Sequence, residues 1–299
     1  MNLKGSPAHV GRHCGSNEYD VTQEVVDFYV DALGEPSQSG RKFAPPLLHH
    51  SECYKHLGEW YLANLFGNLH AQQDWFMFAP IEIGAKIRTR STIIDRFHKR
   101  GRDYVVNETD CIDALDGRLL VRGRTFQSFL PPKESKSDAA GEEKGDFVVD
   151  EATAAKKQAE RAAARPPFPT AEGRDFEAIP KVVDERRCWM FSGPGANYHT
   201  DREQAKKLGF PNIVVQGMMT TCFVSEIMER EFGEGWLEGG RMSAKLTNVV
   251  WVDDALSVHG RIKREEREGT RTRVHCEVWV DKQDDDETRV LLGEASAIV

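Results

Sequence analysis

The chain repeats one order of secondary-structure elements, and this internal duplication restricts its fold more than any other feature of its 299 residues. Each half ends in three strand-like runs joined by charged, Gly- or Asp-containing turns, over residues 80–129 and 249–299. In the run Val274–Val280, every second residue is apolar and small enough to pack against a layer beneath it. That alternation predicts an antiparallel sheet with one covered face.

A long helix precedes the strands in each half. The run Met218–Phe232 spans about 22 Å as a helix, which is enough to cross a small sheet. Its apolar residues are expected to form one stripe, made of Met219, Cys222, Phe223, Ile227 and Phe232. Residues 51–66 are predicted to play the same part in the first half. A lipocalin-like barrel has no use for such helices, so we predict an α+β double hot-dog fold, with two long helices each wrapped by an antiparallel sheet.

The segment 131–169 separates the two halves. It is rich in Pro, Ala, Lys and Glu and nearly devoid of large apolar residues, which is typical of a linker. We therefore expect an N-terminal hot-dog at 1–130 that shapes a substrate tunnel, the linker, and a catalytic C-terminal hot-dog at 170–299. The alternative is a disordered connection between unrelated domains.

Charge and composition restrict the partners. The formal net charge of −8 argues against nucleic acid as a ligand. No apolar run approaches the roughly 18 residues that cross a bilayer, and the first residues lack the apolar stretch of a secretory signal. We therefore expect a cytoplasmic protein that does not enter membranes. The six cysteines are scattered without a CxxC pair, so no metal site is predicted: Cys14, Cys53, Cys111, Cys188, Cys222 and Cys276.

The stretch 189–219 carries the chemically informative residues. Its SGPGAN run predicts a turn, because Gly, Pro and Asn disfavour regular structure. Thr200 or Asp201 can then cap a short helix that Gly209 and Pro211 end. An apolar IVVQG run follows and places Gly217 near the start of the long helix.

This order of elements suggests how a thioester can be activated. Unpaired backbone N–H groups at a helix start stabilise negative charge on an oxygen. Glycine at position 217 lets a carbonyl approach the backbone closely. His199 on the preceding loop can transfer a proton next to that carbonyl. The competing interpretation is that His199 is an ordinary loop histidine whose hydrogen bonds are satisfied.

The same stretch resembles the signature of MaoC-like (R)-specific enoyl-CoA hydratases and dehydratases. That signature reads S-G-D-x-N-P-[LIV]-H-x5-[AS], followed by a Gly and an apolar-His-Gly turn into the central helix. The first half is similar to the companion hot-dog that precedes this domain, with an opening helix over 21–35 and an APP turn at 44–46. The matching positions of the signature are Ser192, Gly193, His199, Ala205, Gly209 and the turn Val215-Gln216-Gly217.

Three polar residues of the signature are replaced in this chain. The family's catalytic Asp, which activates water together with the His, is Pro194 here, and proline has no side-chain acceptor. The family's Asn is Ala196, with Asn197 one place later, and the histidine of the turn is Gln216. Three explanations stay open. Another acid reaches the site, His199 acts with Asn197 alone, or the fold has left hydratase chemistry. The candidate acids are Glu35, Asp74 and Asp201.

The resemblance implies a hydro-lyase that hydrates an enoyl thioester or dehydrates a 3-hydroxyacyl thioester. His199 and Asn197 are then the predicted catalytic residues, and the predicted substrate-binding residues are Gly217, Gln216, Met218 and Tyr198. The expected partner is an acyl-CoA or acyl-carrier thioester, with no other cofactor. Hot-dog domains pair their sheets edge to edge, so either a homodimer or the two copies in this chain can satisfy that pairing. The alternatives are an acyl thioesterase and a non-catalytic thioester-binding hot-dog.

Overall fold

A computed structural model describes residues 8–36, 40–54, 69–129, 173–284 and 288–299, and the structural statements below concern these ranges. The described part of the first half contains one α-helix, seven strands and a short 3-10 turn at His50–Cys53. Their bounds are β1 His13–Asp20, α1 Gln23–Ala32, β2 Phe43–Ala44, β3 Leu69–Met77, β4 Ile81–Glu82, β5 Lys86–Lys99, β6 Arg102–Asp113 and β7 Leu119–Phe129.

The described part of the second half contains four helices and six strands. Its elements are β8 Arg174–Asp175, β9 Ile179–Val182, α2 Glu185–Ser192, α3 Arg202–Lys207, α4 Gly217–Phe232, α5 Glu234–Gly239, β10 Arg241–Leu246, β11 Ala255–Glu268, β12 Arg271–Lys282 and β13 Arg289–Ile298.

The two halves share one continuous antiparallel sheet. Its strands lie in the order β1-β5-β6-β7-β3-β10-β13-β12-β11-β8, and β9 also pairs with β11. The halves join where β3 pairs with β10, which sets Trp75 opposite Met242 and Asp74 opposite Ser243. Read inward from β1 and from β9, the strand orders correspond, so a quasi-twofold axis relates the halves. The predicted edge-to-edge pairing therefore occurs inside the chain.

Side-chain caps begin the helices that lead to the functional region. The Thr22 hydroxyl accepts a hydrogen bond from the Val25 amide at the start of α1. The Asp184 carboxylate accepts one from the Arg187 amide at the start of α2, at 2.8 Å. Such caps satisfy amides that have no partner within their own helix. Helices α1 and α2 pack against each other. None of the described helices has the length and apolar composition that crossing a bilayer requires.

Helix α4 is buried on all sides, which corrects the prediction of a single apolar stripe. Every residue from Met218 to Met228 is buried, whereas Phe232 is only partly buried. The sheet covers one side of the helix, and residues of the first half, including Leu47 and Tyr29, belong to the same core. The polar members of α4 are tolerated because each finds a partner. Thr221, for example, donates to the Met218 carbonyl at 2.7 Å.

The outer face of the sheet is also partly covered, although the alternation in β12 suggested a single covered face. Val274, Cys276, Val278 and Val280 are buried as expected. On the opposite face the Trp279 ring is only 7% exposed. The His259 ring stacks on it at 5.1 Å, and the guanidinium groups of Arg261 and Arg289 lie 5.6 and 5.8 Å from its centroid. Long polar side chains thus cover this aromatic ring.

The prediction of a long helix over 51–66 is tested only at its start. Residues 50–53 form the 3-10 turn, and 55–68 lie outside the described residues. The predicted linker at 131–169 also lies outside them.

Candidate active site at the start of helix α4

The loop between α2 and α3 is shaped by its own polar side chains. The Asn197 side-chain oxygen accepts from the His199 amide at 2.8 Å, and its Nδ2 donates to the Ser192 carbonyl at 3.2 Å. The Thr200 hydroxyl donates to the Gly195 carbonyl at 2.8 Å. Both ends of the Asn197 carboxamide are thus engaged by the backbone. Asn197 therefore holds the loop that carries His199, and its predicted part in catalysis stays a prediction.

The orientation of the His199 ring is set by one short hydrogen bond. Its Nδ1 lies 2.7 Å from the Val214 carbonyl oxygen. A carbonyl only accepts, so Nδ1 carries the proton and Nε2 keeps its lone pair. Burial lowers the pKa of His199 to about 4, although the Val214 carbonyl acts in the opposite direction. The imidazole is therefore neutral near pH 7 and able to accept a proton at Nε2.

The neighbouring aromatic rings keep this imidazole half-buried. The Tyr198 and His199 rings are 3.9 Å apart at their centroids, and Tyr198 also packs against Phe210 at 5.8 Å. The Val214 amide donates to the Tyr198 carbonyl at 3.2 Å. Tyr198, predicted to bind substrate, thus shields His199 and ties the loop to the turn before α4.

No candidate acid accompanies His199. Across the described ranges, no carboxylate oxygen lies within 4.0 Å of its ring nitrogens. Asp201 caps α3 by accepting from the Gln204 amide at 2.8 Å, one of the two caps expected from the sequence. Asp74 lies where the halves join and accepts from the Ser243 hydroxyl at 2.7 Å. The explanation that another acid replaces the missing Asp at Pro194 therefore has no support in the described residues.

Glu35, the third candidate acid, belongs to a separate buried ionic cluster. Burial and the nearby Glu226 carboxylate raise the pKa of Glu35 to about 7, while Lys181 and Arg41 act in the opposite direction. Lys181 forms an ion pair with Glu226 in which both side chains are 3% exposed. Lys181 also donates to the Leu33 carbonyl at 2.8 Å. This cluster fastens the loop after α1 to helix α4.

The start of α4 presents backbone amides without a side-chain cap. Gln216 is the N-cap residue, and its side chain makes no capping hydrogen bond. The first turn of the helix contains no acidic residue. Met218, predicted to bind substrate, is fully buried. The partial positive charge of the helix start is therefore not neutralised from within the first turn.

Gly217 lies close to the end of strand β10. A Cβ atom built at this position would lie 2.4 Å from Cδ1 of Leu246, the last residue of β10. The space beside the α-carbon is thus occupied by the protein itself. As the first residue of the helix, Gly217 has an N–H group without an acceptor in the preceding turn of that helix.

Tyr54 is a member of the site that sequence reasoning missed. Its hydroxyl donates to Oε1 of Gln216 at 2.9 Å, across 162 positions of the chain. Tyr54 directly follows the 3-10 turn of the first half, so this hydrogen bond brings the first hot-dog to the turn before α4. No motif marks this tyrosine, because the contact depends on how the halves pack.

The turn 214–217 lies between His199, which was predicted to be catalytic, and the start of helix α4. His199 binds its first residue, Tyr54 binds Gln216, and helix α4 begins at its last residue. The turn is anchored by a hydrogen bond from the Val215 amide to the Val250 carbonyl at 2.9 Å. An imidazole and helix-start amides therefore flank one short segment. Among the described residues, no group of three or more His, Cys, Asp or Glu side chains is placed to hold a metal ion.

Comparison with known proteins finds a matching domain family and a shared fold. Residues 167–284 match the family model of the MaoC like domain. A solved MaoC-like dehydratase is 14% identical and superposes with a TM-score of 0.70 over 98% of each chain. A protein from Mycobacterium tuberculosis described as having a double hot-dog fold is 14% identical, with a TM-score of 0.58 over 97% of each chain. No curated protein sequence matches the chain significantly.

A longer protein shares the fold as well. The peroxisomal multifunctional enzyme type 2 from Drosophila melanogaster is 14% identical, with a TM-score of 0.64 over 95% of this chain and 48% of that chain. The chain thus spans about half the length of that enzyme.

These findings define the protein as an α+β double hot-dog protein, as predicted from its repeated helix-and-strand order. The match of residues 167–284 to the MaoC like domain confirms the resemblance drawn from the motif around His199. The (R)-specificity implied by that resemblance stays a prediction.

Proposed function

We propose that the protein is a hydro-lyase that hydrates an enoyl thioester or dehydrates a 3-hydroxyacyl thioester, with His199 as its acid and base. The observation that carries the proposal is the hydrogen bond from His199 Nδ1 to the Val214 carbonyl. It leaves Nε2 as a neutral base and attaches the ring to the turn that leads into α4. The MaoC-like domain over 167–284 supports the same class of reaction.

In the dehydration direction, a single imidazole first accepts a proton and then donates it. Nε2 of His199 removes the proton from the carbon next to the thioester, and the electrons move onto the carbonyl oxygen. The amide at the start of α4 stabilises the resulting enolate. The enolate then expels the 3-hydroxyl group, which leaves as water after taking the proton back from Nε2. Hydration is the reverse. Pro194 therefore does not prevent the reaction, because one residue supplies both proton transfers.

The magnitudes are sufficient for catalysis without a carboxylate. A well-placed general acid–base contributes about 10² to 10⁴ in rate. An oxyanion donor contributes about 10² to 10³ more. A substrate bound as a coenzyme A or acyl-carrier thioester fits this scheme, because a thioester carbonyl acidifies the neighbouring C–H bond.

The assay follows the absorbance of a conjugated enoyl thioester as water is added. We expect wild-type turnover on at least one member of a chain-length series of enoyl-CoA esters. Replacing His199 by Gln, which keeps a polar side chain of similar reach, should lower kcat/KM by about 10² or more. His98, an exposed histidine on β5, provides the matched control in His98→Gln. Equal rates for the wild type and His199→Gln would refute the assignment of His199.

The two alternatives give different results in the same experiment. Release of free thiol would identify a thioesterase. Tight thioester binding without turnover would identify a non-catalytic scaffold.

A further inference from the structure

The hydrogen bond between Tyr54 and Gln216 decides which end of the glutamine carboxamide is available. Oε1 of Gln216 accepts from the Tyr54 hydroxyl at 2.9 Å. The oxygen and nitrogen of a carboxamide diverge from the same trigonal carbon, so the amino group Nε2 is directed away from the Tyr54 hydroxyl. Within the described ranges, Nε2 has no hydrogen-bond acceptor in the protein. It is a donor of known orientation placed one residue before the start of α4.

The Tyr54 ring is itself held in position by both halves. The His50 ring stacks on Phe191 at 4.0 Å between centroids, and Tyr54 packs at 6.1 Å on the same His50 ring. Phe191 lies on α2, two residues before the loop that carries His199. A continuous series of contacts thus runs from α2 through His50, Tyr54 and Gln216 to the turn before α4.

The chemistry of Tyr54 suits a permanent donor. Burial raises the pKa of the Tyr54 hydroxyl well above 10, although the hydrogen bond to Gln216 acts in the opposite direction. The hydroxyl therefore keeps its proton at any pH at which the protein works. A deprotonated tyrosine would only accept, and the carboxamide would turn its amino group inward.

We propose that Tyr54 is a positioning residue that aims the Gln216 amino group at the thioester carbonyl, where it joins the Gly217 amide as a second oxyanion donor. This inference rests on the proposed function, which supplies the enolate. It assigns a role to the first hot-dog beyond shaping the acyl tunnel, since one of its hydroxyl groups completes the site of the second hot-dog. It also accounts for a glutamine where the related signature has histidine, because both side chains carry an N–H donor.

Turnover measurements test the proposal first. Tyr54→Phe removes only the hydroxyl, and we expect kcat to fall about tenfold with KM nearly unchanged, because the donor is used mainly in the transition state. Gln216→Met removes the carboxamide at similar volume, and kcat should fall by about 10². The double variant should be no slower than Gln216→Met alone, because the hydroxyl acts only through the carboxamide. Tyr29→Phe, a buried tyrosine on α1, is the control and should keep wild-type kcat.

A structural role for Tyr54 would give a different pattern. It would lower the free energy of unfolding without changing kcat of the folded fraction, and its effect would add to that of Gln216→Met. Either result overturns the proposal. Should Tyr54→Phe fail to fold, Gln216→Met decides alone, and wild-type kcat in that variant is the result that refutes it.

A second readout separates this proposal from the proposed function. Infrared spectra of bound butyryl-CoA, labelled with ¹³C at the thioester carbon, report donors to the carbonyl without any reaction. The wild type should move the carbonyl band to lower wavenumber, and Tyr54→Phe should reverse part of that shift. A shifted band without turnover on enoyl thioesters would refute the hydro-lyase and keep the donor pair. Turnover with identical bands in both proteins would refute the role of Tyr54 alone, and a failure of the wild type to bind would refute both.

Discussion

Lowering the pH from 7 to 5 tests whether the fold sets the proton affinity of His199. A histidine with its usual pKa of 6.5 is only about 3% neutral at pH 5, so a reaction that needs the neutral ring would slow about 25-fold relative to pH 7. Burial lowers the pKa of His199 to about 4. With that value about 90% of the ring stays neutral at pH 5, and kcat/KM should fall by only about 10%.

The assay is the pH profile of kcat/KM, which reports the groups of the free enzyme. We expect its acidic limb near pH 4. Circular dichroism at each pH distinguishes titration from unfolding. An acidic limb near pH 6.5 in the folded wild type would refute the argument that burial controls this histidine.

Two variants of Tyr198 test the cause of the shift. The Tyr198 ring lies 3.9 Å from the His199 ring and shields it from water. Tyr198→Ala should hydrate the imidazole and move the acidic limb toward pH 6.5. Tyr198→Phe keeps the ring and should leave the limb near pH 4. If both variants moved the limb equally, the hydroxyl and not the apolar ring would be responsible.

Three further predictions concern stability and packing. His50 is buried and its pKa is lowered to about 4, so it contributes stability above pH 6.5 that is lost as the pH falls toward 4. In urea unfolding, the loss of stability between pH 7 and 5 should be about 2 kcal/mol smaller in His50→Phe than in the wild type and unchanged in His13→Gln, while His199 and the other buried histidines keep their share of the loss. The pH dependence of stability from Glu35 has the opposite sign, because its raised pKa of about 7 means that stability is lost as the pH rises through 7. In urea unfolding at pH 8, Glu35→Gln should be more stable than the wild type by at most about 3 kcal/mol. An unchanged free energy of unfolding would show that Lys181 already compensates the charge. The methyl group of Gly217→Ala would collide with Leu246, so thermal unfolding should show about 1–3 kcal/mol of destabilisation. Adding Leu246→Ala should partly relieve that loss. Equal stability of Gly217→Ala and the wild type would contradict the contact.

Elements with a local cause could be predicted from the sequence. The long helix α4, the short capped helix α3 and the strands β5–β7 and β11–β13 each follow from periodicity, capping residues or turn residues close to one another in the chain. The motif around His199 also predicted which loop would meet the start of α4. These features depend on neighbours within a few residues, so they can be predicted without knowledge of the tertiary structure.

The tertiary structure decided what each residue of the site contacts. The pairing of β3 with β10 joins the two sheets, and the packing of the halves brings Tyr54 to Gln216 across 162 positions. The same packing buries all sides of α4 and places Leu246 against Gly217. Such contacts form between segments far apart in the chain. Burial and shape complementarity determine which residues meet, and no local sequence pattern predicts these pairs.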